Sequence, residues 1–105
     1  MQVIYKYPLP VKEKFIIQLP KDARILRVED VDVDGLFFLW AIVNPENELE
    51  PRYIECYKTG QTIETNLEDL VFLGTCKLFI MQELCLYMFE NKNVLLCNTE
   101  TYQKI

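Results

Sequence analysis

Residues 28–43 read VEDVDVDGLFFLWAIV, and the step from Asp34 to Gly35 separates two runs that favour β-structure. Aspartate and glycine accept the positive φ angles that tight hairpin turns require. The sequence therefore predicts a β-hairpin here. A two-residue turn at this step would place Val31 opposite Phe38.

The second run of this hairpin, residues 36–43, is apolar at consecutive positions and not only at alternate ones. A strand with two apolar faces is typical of the middle of a sheet that is covered on both sides. We therefore expect residues 36–43 to form a central strand, with Trp40 in the core.

Further strands are predicted where β-branched and aromatic residues alternate or cluster between prolines, glycines and polar turns. These runs cover residues 3–7, 15–19, 23–33, 52–57, 71–80, 84–89 and 94–98. The last two runs should form a hairpin across residues 91–92. A helical turn is predicted within residues 65–70, with Thr65 or Asn66 as its cap, and Gly74 is predicted to mark a bulge in its strand. The apolar spacing of residues 79–89 suits a helix as well as a strand.

The predicted fold class is all-β, as a small antiparallel barrel or a two-layer sandwich with at most one short helix. A chain of 105 residues has the size of one domain and can bury a core without disulfides. We expect residues 1–98 to form this domain and the polar residues 99–105 to be a tail that frays.

The residue inventory is poor in catalytic groups. The chain has no histidine and no serine, which removes the usual general base and the hydroxyl nucleophile systems. Its cysteines are Cys56, Cys76, Cys85 and Cys97; they lack zinc-site spacing, and we expect reduced thiols. The sequence predicts a protein that is not an enzyme and uses no metal or cofactor.

A short acidic motif precedes Gly35. Asp30, Asp32 and Asp34 match the opening of an EF-hand calcium loop, but that loop needs a glutamate at its twelfth position, where this chain has Ala41. On a strand, residues two apart point to the same side. The spacing therefore favours a solvated acidic stripe beside the hairpin over a calcium site.

Acidic residues are concentrated in the middle of the chain, where residues 28–69 hold eleven acids against two bases. Such a segment disfavours contact with a phosphate backbone and suits a basic partner surface, or simply solubility. The predicted partner-binding residues are Glu29, Asp30, Asp32, Asp34, Glu46, Glu48, Glu50 and Glu55. The expected partner is a basic nucleic-acid-processing protein of a host, with no direct contact to nucleic acid.

Residues 1–27 have the opposite balance, with six bases against two acids. Basic side chains bind phosphate groups, and aromatic rings stack on bases. Tyr5, Lys6, Arg24 and Arg27 are therefore the residues predicted for an alternative, nucleotide-binding site. Such a site would lie between the subunits of a homo-oligomer, and the sequence leaves the oligomeric state open.

Two signatures carry a family resemblance: Ile-Tyr-Lys-Tyr-Pro-Leu at residues 4–9 and Leu-Trp-Ala at residues 39–41. Further matches follow in order at Leu19-Pro20, Ala23, Ile25-Leu26, Thr59-Gly60, Leu73-Gly74-Thr75 and Met88-Phe89-Glu90. Through these blocks the chain resembles a family of short uncharacterised phage and prophage proteins. The resemblance implies a compact β-rich domain and a viral source, and it supplies no catalytic residues.

The resemblance also implies a class of function, because many small accessory proteins made during infection act by stoichiometric binding. The leading hypothesis is a non-catalytic inhibitor of a host defence system, such as CRISPR-Cas, that acts through the acidic surface. A module that sequesters a nucleotide signal and a virion or assembly component are the alternatives. Since no segment resembles a membrane span or a secretory signal, the expected location is the cytoplasm of the host bacterial cell.

Overall fold

The computed structural model describes residues 1–31, 35–94 and 101–105, which form two β-sheets and one turn of 3-10 helix, Leu67–Asp69. The strands are β1 (Val3–Leu9), β2 (Lys14–Pro20), β3 (Arg24–Asp30), β4 (Phe37–Val43), β5 (Leu49–Lys58), β6 (Leu70–Ile80), β7 (Gln82–Asn91) and β8 (Gln103–Lys104). Within these ranges, no helix has the length and apolar character needed to cross a membrane.

The two sheets contain three and five strands. The three-stranded sheet has the order β1-β4-β3, and the five-stranded sheet has the order β6-β7-β5-β2-β8. The described strands pair antiparallel, except that β8 lies parallel to β2. The predicted all-β class is confirmed, and of the two predicted architectures the chain adopts the one with two sheets and not the closed barrel.

The hydrophobic core lies between the sheets, where alternate residues of each strand point inward. From β4 it receives Phe37, Leu39, Ala41 and Val43, each at most 1% exposed. The five-stranded sheet contributes Phe15, Ile17, Leu19, Ile54, Cys56, Cys76, Leu86 and Met88. Because burial of one large apolar side chain contributes roughly 1.5–3 kcal/mol, this layer is the main source of stability.

The hairpin predicted at Gly35 forms, but in a register two residues away from the predicted one. The N–H of Val31 donates to the carbonyl of Leu36 at 3.1 Å, and Phe38 stands opposite Glu29 and not opposite Val31. The connection therefore spans four residues, of which the first three lie outside the described ranges. Gly35 has a φ of 76°, as a turn residue. Both a two-residue turn and a longer connection can contain a residue with positive φ. The Asp34-Gly35 step alone could therefore not determine the register.

Strand β4 is central in its sheet, as predicted, but only one of its faces is covered. Phe38, Trp40 and Ile42 alternate with the buried residues and are only partly buried. The expectation that Trp40 lies in the core is therefore wrong. Aromatic and branched residues also suit an open sheet face when long cationic side chains of neighbouring strands lie over them.

Residues 79–89, which suit either a strand or a helix by sequence, lie in strands. β6 and β7 form a long hairpin that turns at Met81, a fully exposed residue with a φ of 65°. The predicted pairing of residues 84–89 with residues 94–98 is wrong, because β7 has β6 and β5 as its neighbours. Residues 95–98 lie outside the described ranges. The predicted helical turn is present as the 3-10 turn, which Asn66 caps by accepting the N–H of Glu68 at 3.2 Å.

The two sheets approach each other closely where β3 runs beside β6. A bulge interrupts β6 at Gly74, as predicted, and a Cβ there would lie 2.7 Å from the carbonyl oxygen of Val28. Only glycine permits this approach of two backbones. Nearby, the carboxylate of Asp30 accepts the N–H of Lys77 at 2.9 Å and so satisfies a backbone donor on this edge strand.

The end of the chain belongs to the five-stranded sheet. Gln103 and Lys104 pair with Phe15 and Ile16 of β2, and Tyr102 is only 6% exposed. The frayed tail predicted from Thr99 onward is therefore wrong for residues 102–104, whereas residues 99 and 100 lie outside the described ranges. Local composition misled here, because the segment is held by residues that are distant in sequence.

Candidate functional site

One face of the three-stranded sheet is open to solvent and carries aromatic and basic side chains. We call it the Trp40 face. Its members are Ile4, Lys6 and Pro8 of β1, Phe38, Trp40 and Ile42 of β4, and Arg24, Arg27 and Glu29 of β3. Within β1 and β4 they share one side because alternate residues of a strand point to the same side. In β3 the register shifts between Ile25 and Arg27, which brings Arg24 and Arg27 to this side although they are three positions apart.

Trp40 lies at the centre of this face between two cations. Its direct cross-strand partners are Lys6 of β1 and Arg27 of β3. The guanidinium carbon of Arg27 lies 4.3 Å from the centroid of the Trp40 ring, and the Nζ atom of Lys6 lies 5.9 Å from it. The same Nζ atom lies 4.1 Å from the centroid of Phe38. Aromatic rings attract cations at such distances, so the rings and the charges hold one another in place.

The Trp40 face is positively charged, although the chain as a whole is negative. Lys6, Arg24 and Arg27 give three positive charges and Glu29 gives one negative charge, which leaves +2 on the face against −5 for the chain. Glu29 forms an ion pair with Arg27, and both side chains are about half exposed. Exposed pairs contribute little, so an incoming anion can compete for Arg27.

The structure brings together three of the four residues predicted for the alternative ligand site. Lys6, Arg24 and Arg27 share the Trp40 face, but Tyr5 points to its other side, opposite Ala41. Sequence reasoning missed Trp40 as a member of this face. The signal that could have found it is the alternation of side-chain direction along β4, read together with the register of β1 and β3. In that register Trp40 lies on the same side as its cross-strand neighbours Lys6 and Arg27.

The predicted acidic surface is not assembled on one face. Glu55 is 1% exposed, so its predicted place on the surface is wrong. Glu29 and Asp30 lie at one end of the three-stranded sheet, whereas residues 46–50 lie beyond Val43 at the opposite end. The seven residues of β4 separate the two ends by about 20 Å. Asp32 and Asp34 lie outside the described ranges.

A smaller acidic end remains at the connection between β4 and β5. Glu46 and Glu48 are exposed there, and the carboxylate of Glu50 accepts the N–H of Asp22 at 3.2 Å. The side chain of Asn47 donates to the carbonyl of Lys21 at 3.0 Å, which ties this connection to the turn after β2. The two segments together present four carboxylates in one region.

Glu55 is the centre of a buried polar cluster on the side of the five-stranded sheet that faces away from the core. One carboxylate oxygen accepts the hydroxyls of Tyr57 and of Thr65, the latter at 2.8 Å. The other accepts the amide of Asn91 at 3.0 Å and the hydroxyl of Tyr102. Four donors fill the acceptor sites of an ionised carboxylate. We call these five residues the Glu55 cluster.

The hydrogen bonds of the Glu55 cluster set its protonation state. Burial alone would raise the pKa of Glu55, but the bonds from Tyr102, Tyr57, Thr65 and Asn91 outweigh it and hold that pKa below its ordinary value. Burial, followed by the bond to Glu55, raises the pKa of Tyr57 to about 12. At neutral pH the carboxylate is charged and the phenol is neutral. This arrangement suits a structural acceptor and not a proton-transfer group, whose pKa would lie near the working pH.

A second charged pair, between Arg52 and Glu90, is also fully engaged. The Nε and Nη2 atoms of Arg52 donate to the two oxygens of Glu90, at 2.8 Å for Nη2, and its Nη1 donates to the carbonyl of Ala23 at 2.7 Å. The hydrogen bond to Glu90 is the main cause of the raised pKa of Arg52. Because three nitrogens of its guanidinium donate hydrogen bonds, Arg52 of β5 is joined both to β7 and to the residue before β3. We therefore interpret Arg52 as a structural cation.

The two buried thiols, those of Cys56 and Cys76, are poor nucleophiles. Cys56, Cys76 and Cys85 are free, and burial raises the pKa values of Cys56 and Cys76 to about 12. The thiolate is the reactive form, so neither group is activated at neutral pH. Cys97 lies outside the described ranges. In the part of the chain that the structure describes, no three His, Cys, Asp or Glu side chains are placed to hold a metal ion.

Comparisons with curated proteins and with solved structures gave no match. One family model matches residues 1–95, a span that contains the whole Trp40 face and four of the five residues of the Glu55 cluster. The chain therefore belongs to the family described as Domain of unknown function (DUF7352).

Proposed function

We propose that this chain is a non-catalytic binding protein that binds an anionic partner through the Trp40 face and thereby blocks it. The observation that carries the proposal is the position of Trp40 between Lys6 and Arg27 on an open sheet face. Tryptophan and arginine are enriched at binding hot spots, where they bury much surface. The positive charge of the face would accelerate the encounter with an anionic partner.

A binding role without turnover is supported by the state of the reactive groups. The carboxylate of Glu55 is saturated by four donors, and the pKa values of the Cys56 and Cys76 thiols are raised. The chain also has no histidine. A protein of this kind would act in proportion to its concentration, by removing its partner from use.

The resemblance to phage and prophage proteins supports a setting for this activity. In that setting the chain is an accessory protein made in the cytoplasm of an infected bacterial host. Its target would be a host defence system, with CRISPR-Cas as the leading candidate. Occupation of a component or of a ligand of that system would inhibit it without any chemical step.

A second candidate surface is the acidic end formed by Asp22, Glu46, Glu48 and Glu50. Its two exposed glutamates favour a basic partner, such as the groove of a nucleic-acid-processing effector. This candidate retains part of the acidic surface predicted from sequence. It differs from the Trp40 face in the sign of the partner's charge, and the two can therefore be separated by experiment.

A pair of charge reversals tests the two surfaces against each other. Lys6→Glu with Arg27→Glu alters the Trp40 face, and Glu46→Lys with Glu48→Lys alters the acidic end by an equal and opposite charge. The variants would be expressed in bacteria that carry an active CRISPR-Cas system and are challenged with a targeted phage. We expect the first pair to abolish protection of the phage and the second to leave it intact. The opposite result would transfer the function to the acidic end, and protection by both variants would refute both surfaces.

A further inference from the structure

We infer that the occupant of the Trp40 face is a nucleotide unit, recognised by its base and by the phosphate attached to it. This inference rests on the proposed function, because it names the ligand of the same face. It depends on the spacing of the aromatic rings, on the planar cation beside them and on the surplus of positive charge. Each of these features has a separate chemical counterpart in a nucleotide.

The base has a stacking surface on β4. The ring centroids of Phe38 and Trp40 are 6.3 Å apart on the open side of the sheet. Aromatic rings on an open sheet face are a recurrent platform for unstacked bases. The guanidinium of Arg27 lies over the Trp40 ring and is itself a plane on which a base can stack.

The phosphate has cationic partners on both sides of this platform. Lys6 and Arg27 flank Trp40 on the two neighbouring strands, and Arg24 lies further along β3 on the same face. All three are exposed, so their charged ends can turn toward a ligand. Arg27 would exchange its solvent-exposed pair with Glu29 for a charge-assisted bond to phosphate, which is the stronger interaction.

Charge and aromatic content together favour this occupant over others. A second copy of the chain would bring one face of charge +2 against another, which is repulsive. An acidic peptide would satisfy the cations but would leave the partly exposed rings of Phe38 and Trp40 without a specific role. The net charge of −5 opposes the approach of a long polyanion, so a ligand of one or a few nucleotides fits best.

The single tryptophan of the chain makes the inference directly measurable, because Trp40 supplies all of the indole fluorescence. We would titrate the full chain with ADP, with a four-nucleotide oligothymidylate and with inorganic pyrophosphate, which has the charge but no base. Stacking of a base should quench the Trp40 emission in a saturable way. Comparison of the affinities for ADP and for the oligothymidylate would show whether the face prefers a free nucleotide or a short single strand.

Matched substitutions then assign the binding to the Trp40 face. Lys6→Gln combined with Arg27→Gln should lower the affinity for the more tightly bound nucleotide by at least about tenfold, since two charge-assisted contacts are lost. Lys21→Gln, which removes an exposed charge from the turn after β2, should change the affinity by less than about twofold. Circular dichroism and melting curves would show that the variants remain folded.

The outcomes separate this inference from the function on which it rests. Saturable quenching by a nucleotide, weakened by the double substitution and not reproduced by pyrophosphate, supports it. Pyrophosphate that binds as tightly as the nucleotides would overturn it, because the base would then contribute nothing. An absence of quenching by every nucleotide would also overturn it. If the Lys6→Glu and Arg27→Glu variant nevertheless loses phage protection, the Trp40 face still functions, but with a different anionic partner.

Discussion

Tyr102 links the C-terminal segment to a buried charge, and removal of its hydroxyl should measurably destabilise the protein. The hydroxyl donates to one carboxylate oxygen of Glu55 and accepts the amide of Asn91 at 3.1 Å. Tyr102→Phe keeps the ring, which packs against Tyr53 with centroids 5.2 Å apart, and deletes these polar contacts. The carboxylate would keep the donors Tyr57, Thr65 and Asn91.

The size of the effect follows from the type of bond that is lost. A hydrogen bond to a charged group contributes about 1.5–3 kcal/mol, and Glu55 is too deeply buried for water to replace the missing donor at no cost. We therefore expect the free energy of unfolding to fall by about 1.5–3 kcal/mol. A small domain has a total stability of about 5–15 kcal/mol, so this is a substantial fraction.

Equilibrium unfolding in urea at pH 7, followed by circular dichroism, would measure this change. With a slope of about 1.5 kcal/mol per molar urea, the midpoint should move down by about 1–2 M. Tyr53→Phe is the matched control, because its ring is retained and its hydroxyl makes no hydrogen bond with any residue that the structure describes. Its stability should stay within about 0.5 kcal/mol of the parent protein.

A double-mutant cycle with Glu55→Gln would show whether the effect passes through the carboxylate. Groups in one hydrogen-bond network couple by about 0.5–3 kcal/mol, so the two substitutions should cost less together than the sum of their separate costs. If Tyr102→Phe behaves like Tyr53→Phe, or if the two changes are strictly additive, Tyr102 does not anchor the C-terminal segment through Glu55.

Three further predictions concern pH, backbone approach and redox state. The pKa of Glu55 is lower in the folded than in the unfolded protein, so its ionised carboxylate stabilises the fold above a pH of about 4.5. This stabilisation is lost as the pH falls through the folded pKa. Chemical unfolding at a series of pH values should show the loss of stability, and Glu55→Gln should make the loss smaller. Gly74→Ala should destabilise the protein by at least about 1 kcal/mol more than Gly60→Ala in the same urea assay, because both residues have positive φ but only Gly74 lies against a backbone carbonyl. Equal losses would show that the close approach to β3 carries no cost. A reductant should leave the melting temperature unchanged, since the three described cysteines are free, and a clear drop would reveal a disulfide.

The local features of the fold could be read from the sequence because each depends on neighbouring residues. The positive φ at Gly35, the cap at Asn66 and the bulge at Gly74 are properties of single positions and agree with the structure. The register of the hairpin and the partner of β7 could not be read in this way. They depend on which apolar rows meet across the core, and a shift of two residues preserves the inward and outward alternation of a strand.

The candidate site was harder to predict, because burial and charge partnership are properties of the assembled sheets. Glu55 and Glu48 are both acidic and lie in the same part of the sequence, yet one is saturated by buried donors and the other is exposed. Lys6 and Arg27 both lie beside Trp40 only because β1 and β3 flank β4 on its two sides. Net charge counted along the sequence therefore pointed to the acidic middle, whereas the structure concentrates aromatic rings and cations from three separated segments on one open face. Binding should accordingly follow the charge of this face and not that of the chain.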